Sequence, residues 1–209
     1  MRRLFSAVII ILALLTGLAA PEAALDEALP RQVLAEINMA RTAPRNYAGF
    51  LREFRSRFQG KSYFLPGSRV RVQTSEGVAA VDEAIKYLSR QKPLPALSWS
   101  AGLAAAAGEL ASEQGSSGAT GHTGVQSRGM RERVERQGKW EGRIGENIAY
   151  GPEDARGMVM QLIIDDGVPD RGHRKNHFGP SYGAAGVACG SHPRFGNMCV
   201  IDFAGRFRE

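Results

Sequence analysis

Two cysteines constrain this chain more than any other feature. Cys189 and Cys199 stand ten residues apart in "YGAAGVACGSHPRFGNMCVIDFAG". Each lies in an apolar segment of β type, and Gly-Ser-His-Pro-Arg-Phe-Gly-Asn fills the space between them. Such a turn-rich stretch joins strands that double back, so the segment reads as a β-hairpin with its thiols across from each other. Two buried free thiols are the alternative. A metal site built on the thiols would need more ligands, and only His192 stands nearby.

The start of the chain decides between bonded and free thiols. "MRRLFSAVIIILALLTGLAA" runs from two arginines through an apolar stretch, Leu4 to Leu15, to small residues. That is the order of a secretory signal peptide, here residues 1–19 with Gly17-Leu18-Ala19 as cleavage site. The apolar run is short for a membrane anchor. With no cysteine beside it, lipid attachment at the cleavage site is also disfavoured. In an exported chain a Cys189–Cys199 disulfide is expected. The mature protein is expected to be secreted or periplasmic, monomeric and without a stable membrane anchor.

With 209 residues, 43% of them apolar and 8% aromatic, the chain fits a single globular domain with a core. Its net charge is +6, of which two arginines belong to the leader. In "RGMRERVERQGKWEGR" arginines alternate with glutamates, as on a solvated helix face, so no one-sign patch with interleaved aromatics points to nucleic acid. A mildly basic exported protein suits anionic envelope or polysaccharide surfaces instead.

Apolar periodicity places the helices first. Val33, Leu34, Ile37 and Ala40 predict a helix from Pro30 to before Pro44, and a second short one follows from about Asn46. The segment "QGKSYFLPGSRVRVQTSEG" reads as a surface excursion. Val78, Val81, Ile85 and Leu88 mark a further helix. The most regular one carries Leu103, Ala106, Ala107, Leu110 and Ala111, with Ser100 to cap it and Gly115 to end it. After a glycine-rich loop come a short helix "MRERVERQG", a strand around Ile148, a helix with Met158, Leu162 and Ile163 inward, and the cysteine hairpin. Helices first and antiparallel strands late predict one α+β domain with helices covering the sheet.

Four groups stand out on this scaffold: His122 in "ATGHTG", Glu146 in "IGENIAYG", Asp165 with Asp166 at a helix end, and His173 in "DRGHRKNHF". Carboxylates at a helix C-terminus face the negative end of the macrodipole, so a positive group, Arg171, Arg174 or a bound cation, is expected there. Imidazoles beside carboxylates are what zinc or another divalent ion requires, with one position left for water. His173 and His177 share a helical spacing, but Arg174 and Lys175 lie between them, so this is no HExxH helix. His177 is expected to pack and His192 to be exposed. There is no GxSxG elbow, and paired cysteines leave no thiol nucleophile.

Taken in order, "INMAR", "LSWSAGLAAAAGELA", "GH", "GENIAYG", "DDGVPDRGHRKNHF" and "YGAAGVACG" resemble the CAP superfamily (cysteine-rich secretory proteins, antigen 5, pathogenesis-related 1) in its bacterial secreted SCP-like branch. The resemblance runs over about residues 29–207. It implies a three-layer α-β-α sandwich with a small, mainly antiparallel sheet, and a cleft lined by two histidines and two acidic residues. The histidines match His122 and His173, and the glutamate of "GEN" matches Glu146. The second acid, often a glutamate in that family, falls on Asp165, with Asp166 beside it. Residues of about 46–94 form an added helical segment, as a lid or an extra layer.

The resemblance leaves two functions open, since the superfamily includes lipid and sterol binders, toxins and proteins with hydrolytic activity. One is a secreted binding module whose cleft holds an extracellular or envelope lipid, glycan or protein, with or without a divalent cation on His122 and His173. The other is a metal-assisted hydrolase with Glu146 as base and Asp165 orienting the site.

Overall fold

The computed structural model describes residues 28–64 and 70–209, so the expected leader, 1–19, lies outside the described residues. The elements run α1 (Ala28–Thr42), α2 (Pro44–Arg55), β1 (Phe58–Gln59), β2 (Ser62–Phe64), β3 (Arg71–Gln73), α3 (Val78–Arg90), β4 (Ser98–Trp99), α4 (Ala101–Ser117), β5 (Thr123–Gly124), β6 (Arg128–Gly129), α5 (Met130–Gln137), β7 (Lys139–Tyr150), α6 (Ala155–Ile164), α7 (Gly172–His177), β8 (Ala184–His192) and β9 (Gly196–Arg208).

The central sheet has the order β4-β8-β9-β7. β8 and β9 form the expected hairpin, with Cys189 opposite Cys199 and the two joined in a disulfide whose Cα atoms are 4.1 Å apart. β7 pairs antiparallel with β9, and only the two-residue β4 joins in parallel.

Alternation along these strands builds three layers, because successive side chains leave opposite faces. From β9, Met198, Val200 and Ala204 pack with Leu103, Leu110 and Ala111 of α4 and Val134 of α5. Cys199, Ile201 and Phe203 point the other way, into a larger core with α1, α2, α3 and α6. Small residues let α4 come close: a Cβ at Gly186 would lie 2.0 Å from the Ala104 backbone nitrogen. The fold is the expected α-β-α sandwich.

Several local expectations need correction. α2 begins at Pro44, not Asn46, because proline's fixed φ suits the first helical turn. The excursion at 59–77 takes part in a small antiparallel sheet, β1-β2-β3, with Phe58 and Tyr63 packed on Phe54. α3 buries Ala80 and Ala84 more fully than Val78 and Ile85. Ser100 caps α4 as expected, accepting from the Leu103 amide, but the helix passes Gly115 and ends where Gly118 turns left-handed at φ 71°. Gly115 instead lets the hairpin approach α4, since a Cβ there would lie 2.8 Å from the Ser191 carbonyl oxygen.

The motif residues of α1 are framework. Asn38 exchanges two hydrogen bonds with the Leu97 backbone. Arg41, fully buried, donates to the carbonyls of Pro95, His177, Gly179 and Tyr182, tying α1 to the chain that leaves α7.

Candidate functional site

β7 is the last strand of the sheet, and its alternation feeds both helical layers at once. Glu146 faces the α4 and α5 side, where it meets His122. Asn147 faces the other side and reaches α7, donating to the His173 carbonyl (3.0 Å) and to His177 Nδ1 (2.8 Å). Asn176 of α7 returns the contact, donating to the Glu146 carbonyl and to Asn147 Oδ1. The two histidines therefore approach each other over the open edge of β7, with ring centroids 6.5 Å apart.

His122 arrives on the loop after α4. Gln114 donates to the Gly121 carbonyl (2.6 Å), and Tyr150 hydroxyl bridges Gln114 Oε1 and the Gly121 amide. His192, expected to be exposed, is 2% exposed and bonds the Ala119 carbonyl through Nε2 (2.9 Å). The proline turn folds its ring back against Tyr150, so the hairpin tip becomes a clamp on the histidine loop. His122 Nδ1 then meets Glu146 Oε1 at 2.7 Å. The other oxygen of Glu146 is bonded by Arg133 of α5, a fully buried guanidinium that also donates to the His122 and Arg128 carbonyls.

His173 is held by purely local means. Asp165 ends α6 in a left-handed conformation, φ 58°, which an aspartate tolerates better than most residues. Its carboxylate thereby faces the start of α7. Oδ2 accepts from the His173 and Arg174 amides and Oδ1 meets His173 Nδ1 at 2.7 Å. The helix-end carboxylate expected to oppose one macrodipole thus serves the amides that open the next helix.

Arg171 and Arg174, expected as partners of the aspartate carboxylates, neutralise something else. Arg174 donates to the Ile163 and Ile164 carbonyls at the C-terminus of α6, and Arg171 to those of Asp165 and Val168 in the turn that follows, which also accept the Val168 and Arg171 amides. Their charges are met by Glu76 and Glu83 from the segment ending in α3. The Arg171 hydrogen bond holds Glu76 down at about 2. Asp166 does not serve the cleft: it accepts from the Ser75 and Glu76 amides. The segment at 46–94 is thus tied through Ser75, Glu76 and Glu83 to the turn that carries His173.

His177 is fully buried, as its packing assignment required, and burial pushes its imidazole down to about 4. Four residues that help build the site have no role assigned from the sequence: Arg133, Asp202, and Asn147 and Asn176, which enter only as letters of the quoted motifs. Asp202 is the least expected. It lies between Val200 and Ala204 at a core position of β9, directly opposite Glu146. Burial and the Glu146 charge push its carboxyl well above the usual carboxylate range. The signal for it was an acid in the inward register of an otherwise apolar strand.

His122, Glu146 and His173 line one open cavity of about 500 Å³, together with Arg143, Asp170 and Lys175 at its margin. Asp165 stands behind His173, with its side chain 2% exposed. With both Nδ1 atoms occupied, Nε2 of each histidine is the ring nitrogen that meets no partner among the described residues. These two nitrogens could accept a divalent ion, but no cluster of three or more histidine, cysteine or acidic side chains suited to a metal occurs among the described residues. Catalytic zinc is held by three protein ligands, so the donor set is short by one.

A helix-sheet-helix sandwich whose edge cleft sets two histidines against two buried carboxylates defines the class. The chain belongs to the cysteine-rich secretory protein family, CAP, whose family model matches residues 34–203. Among solved structures it is similar to an extracellular protein containing an SCP domain from Bacillus anthracis, with 18% identity, 61% of this chain and 37% of that chain covered, and a TM-score of 0.45. An outer surface protein of Borrelia burgdorferi shows 18% identity over 54% of this chain and 80% of that one, with a TM-score of 0.45. A cysteine-rich secretory protein of Staphylococcus aureus shows 15% identity over 62% and 38%, with a TM-score of 0.39. The match spans little more than a third of the Bacillus and Staphylococcus chains. No curated protein matches significantly. No helix among the described residues is long and apolar enough to cross a membrane.

Proposed function

We propose that this protein is an exported binding module whose cleft takes an extracellular or envelope ligand, a lipid, glycan or protein, on the Nε2 side of His122 and His173. The observation that carries this reading is the pair of imidazoles, 6.5 Å apart, presented from opposite helical layers with each Nδ1 fixed by a buried carboxylate. Such a pair is preorganised to donate or accept at two points of one ligand. A divalent cation, where one is held, would rest on the same two nitrogens, with water or ligand atoms completing its shell. Carboxylates behind the rings are the arrangement that orients metal-binding histidines.

The hydrolase reading finds less support. Both oxygens of Glu146 are engaged, by His122 and Arg133, and both of Asp165 by His173 and the α7 amides. Neither is left over as a general base, and the cysteines are bonded to each other.

Calorimetric titration of zinc into the wild type, H122A and H173A tests the site. A saturable isotherm, lost in both variants, supports it. An isotherm unchanged in both variants removes the cleft as the binding site. Peptide or ester turnover abolished by E146Q would move the assignment to a hydrolase.

A further inference from the structure

We propose that Asp202 is a protonated carboxylic acid that donates its hydrogen to the Glu146 carboxylate, making it the positioning residue that keeps Glu146 in place beneath His122. The antiparallel register sets Glu146 and Asp202 directly opposite each other on β7 and β9. Side chains so paired have Cβ atoms about 4.5–5.5 Å apart, within reach of one hydrogen bond between carboxyl groups. Asp202 is fully buried, and neither of its oxygens receives a hydrogen bond from any donor among the described residues. As an anion it would be a buried acceptor facing another acceptor, an arrangement costly on both counts.

The surrounding elements supply too little positive charge for two anions. β8 places Gly186 opposite Asp202, which brings no side chain. α5 brings Arg133, already bonded to Glu146. α4 brings Glu109, a further negative charge, itself paired with Arg136. One proton on Asp202 leaves one anion, Glu146, against one buried cation, Arg133. Burial first, and the Glu146 charge second, favour that proton; Arg133 opposes it less strongly.

The consequence reaches the cleft. Glu146 then accepts from three donors, Arg133, His122 Nδ1 and Asp202, and is held in the orientation that leaves His122 Nε2 free. The inference concerns the same cleft as the proposed function and rests on that reading only for its effect on ligand affinity. The proton itself does not depend on it.

Isotope-edited infrared spectroscopy of the full chain at pH 7, with aspartate carboxyl carbons labelled, reads the proton directly. The wild type should show a protonated-carboxyl band that D202N removes. Nitrogen NMR of His122 reads the position of its ring proton: D202N, whose amide donates the same bond, should keep hydrogen on Nδ1, whereas D202V should lose that preference. Zinc affinity should fall about tenfold in D202V, the effect typical of groups behind a metal-binding histidine, and recover in D202N. A missing band, a band that persists in D202N, or identical His122 spectra in D202N and D202V overturns the proposal. Should D202V fail to fold, the band in wild type and D202N decides. A band lost in D202N from a protein that binds no zinc would leave this inference standing and weaken the ligand reading.

Discussion

His122 and His173 each meet a buried carboxylate through Nδ1 at 2.7 Å, yet the two carboxylates are stabilised in opposite ways. Glu146 sits in the middle of a strand. Its charge is compensated by Arg133, thirteen residues away on a different layer, and its neighbour is a second buried acid. Asp165 sits in a turn, eight residues from His173, and is satisfied by backbone amides that its own chain supplies. One half of the cleft is a tertiary construction and the other a local one. His122 is also the more exposed, with 55% of its side chain accessible against 27% for His173. The half that depends on distant parts should therefore be the half that breaks first.

The largest effect should come from Arg133. Replacing it with methionine strands Glu146 without its cation, and breaking a buried pair in this way typically costs about 3–5 kcal/mol. Urea unfolding should show that loss, with His122 amide exchange accelerating and that of His173 unchanged. Equal acceleration in both halves would refute their independence.

Acid should act on the other half. The unfolded imidazole of His177 takes up a proton near pH 6.5, whereas the folded one does so only at about 4. Between those values the unfolded chain binds the proton that the folded one refuses, so stability falls as pH drops through the window. The loss reaches about 3 kcal/mol at its lower end. Comparing wild type with H177Q cancels the other titrating groups; parallel stability curves from pH 7 to pH 4 would contradict the assignment.

Removing the disulfide with C189A and C199A together should cost about 2–3 kcal/mol, because the loop it closes is short. The damage should travel through the hairpin tip, where His192 clamps Ala119, and so loosen the His122 loop. A protein that loses no stability, or whose His173 turn loosens instead, would break that link.

The smallest effect is expected at Glu76. Its pairing with Arg171 is partly exposed, so E76Q should cost less than about 1 kcal/mol. Its signature is increased mobility of the turn at 165–173 with the His122 half unaffected, which relaxation measurements on the two imidazoles would separate.

Legibility follows the same division. The hairpin, the core faces of α1, α4 and α6, and the Ser100 cap were readable because each depends on spacing within one element. His122, Glu146, Asp165 and His173 were singled out by residue type and by the resemblance that their motifs carry. What escaped were partners supplied from another element: Arg133, which looked like part of a solvated helix face, and His192, which a proline-containing turn made look exposed. Arg171 and Arg174 stand near the expected helix end but bond backbone carbonyls, not the aspartate carboxylates, since carbonyl acceptors do not show in a sequence.

Periodicity and turn chemistry determined where strands and helices lie, and local register put Asp165 within reach of His173. Only the tertiary structure decided that β7 stands at the open edge of the sheet, that Asp202 lies opposite Glu146, and that Arg133 supplies the charge between them. Those are relations between strands and layers: hydrophobic patterning specifies which face of a strand is buried, whereas the identity of the group buried against it depends on how the layers dock.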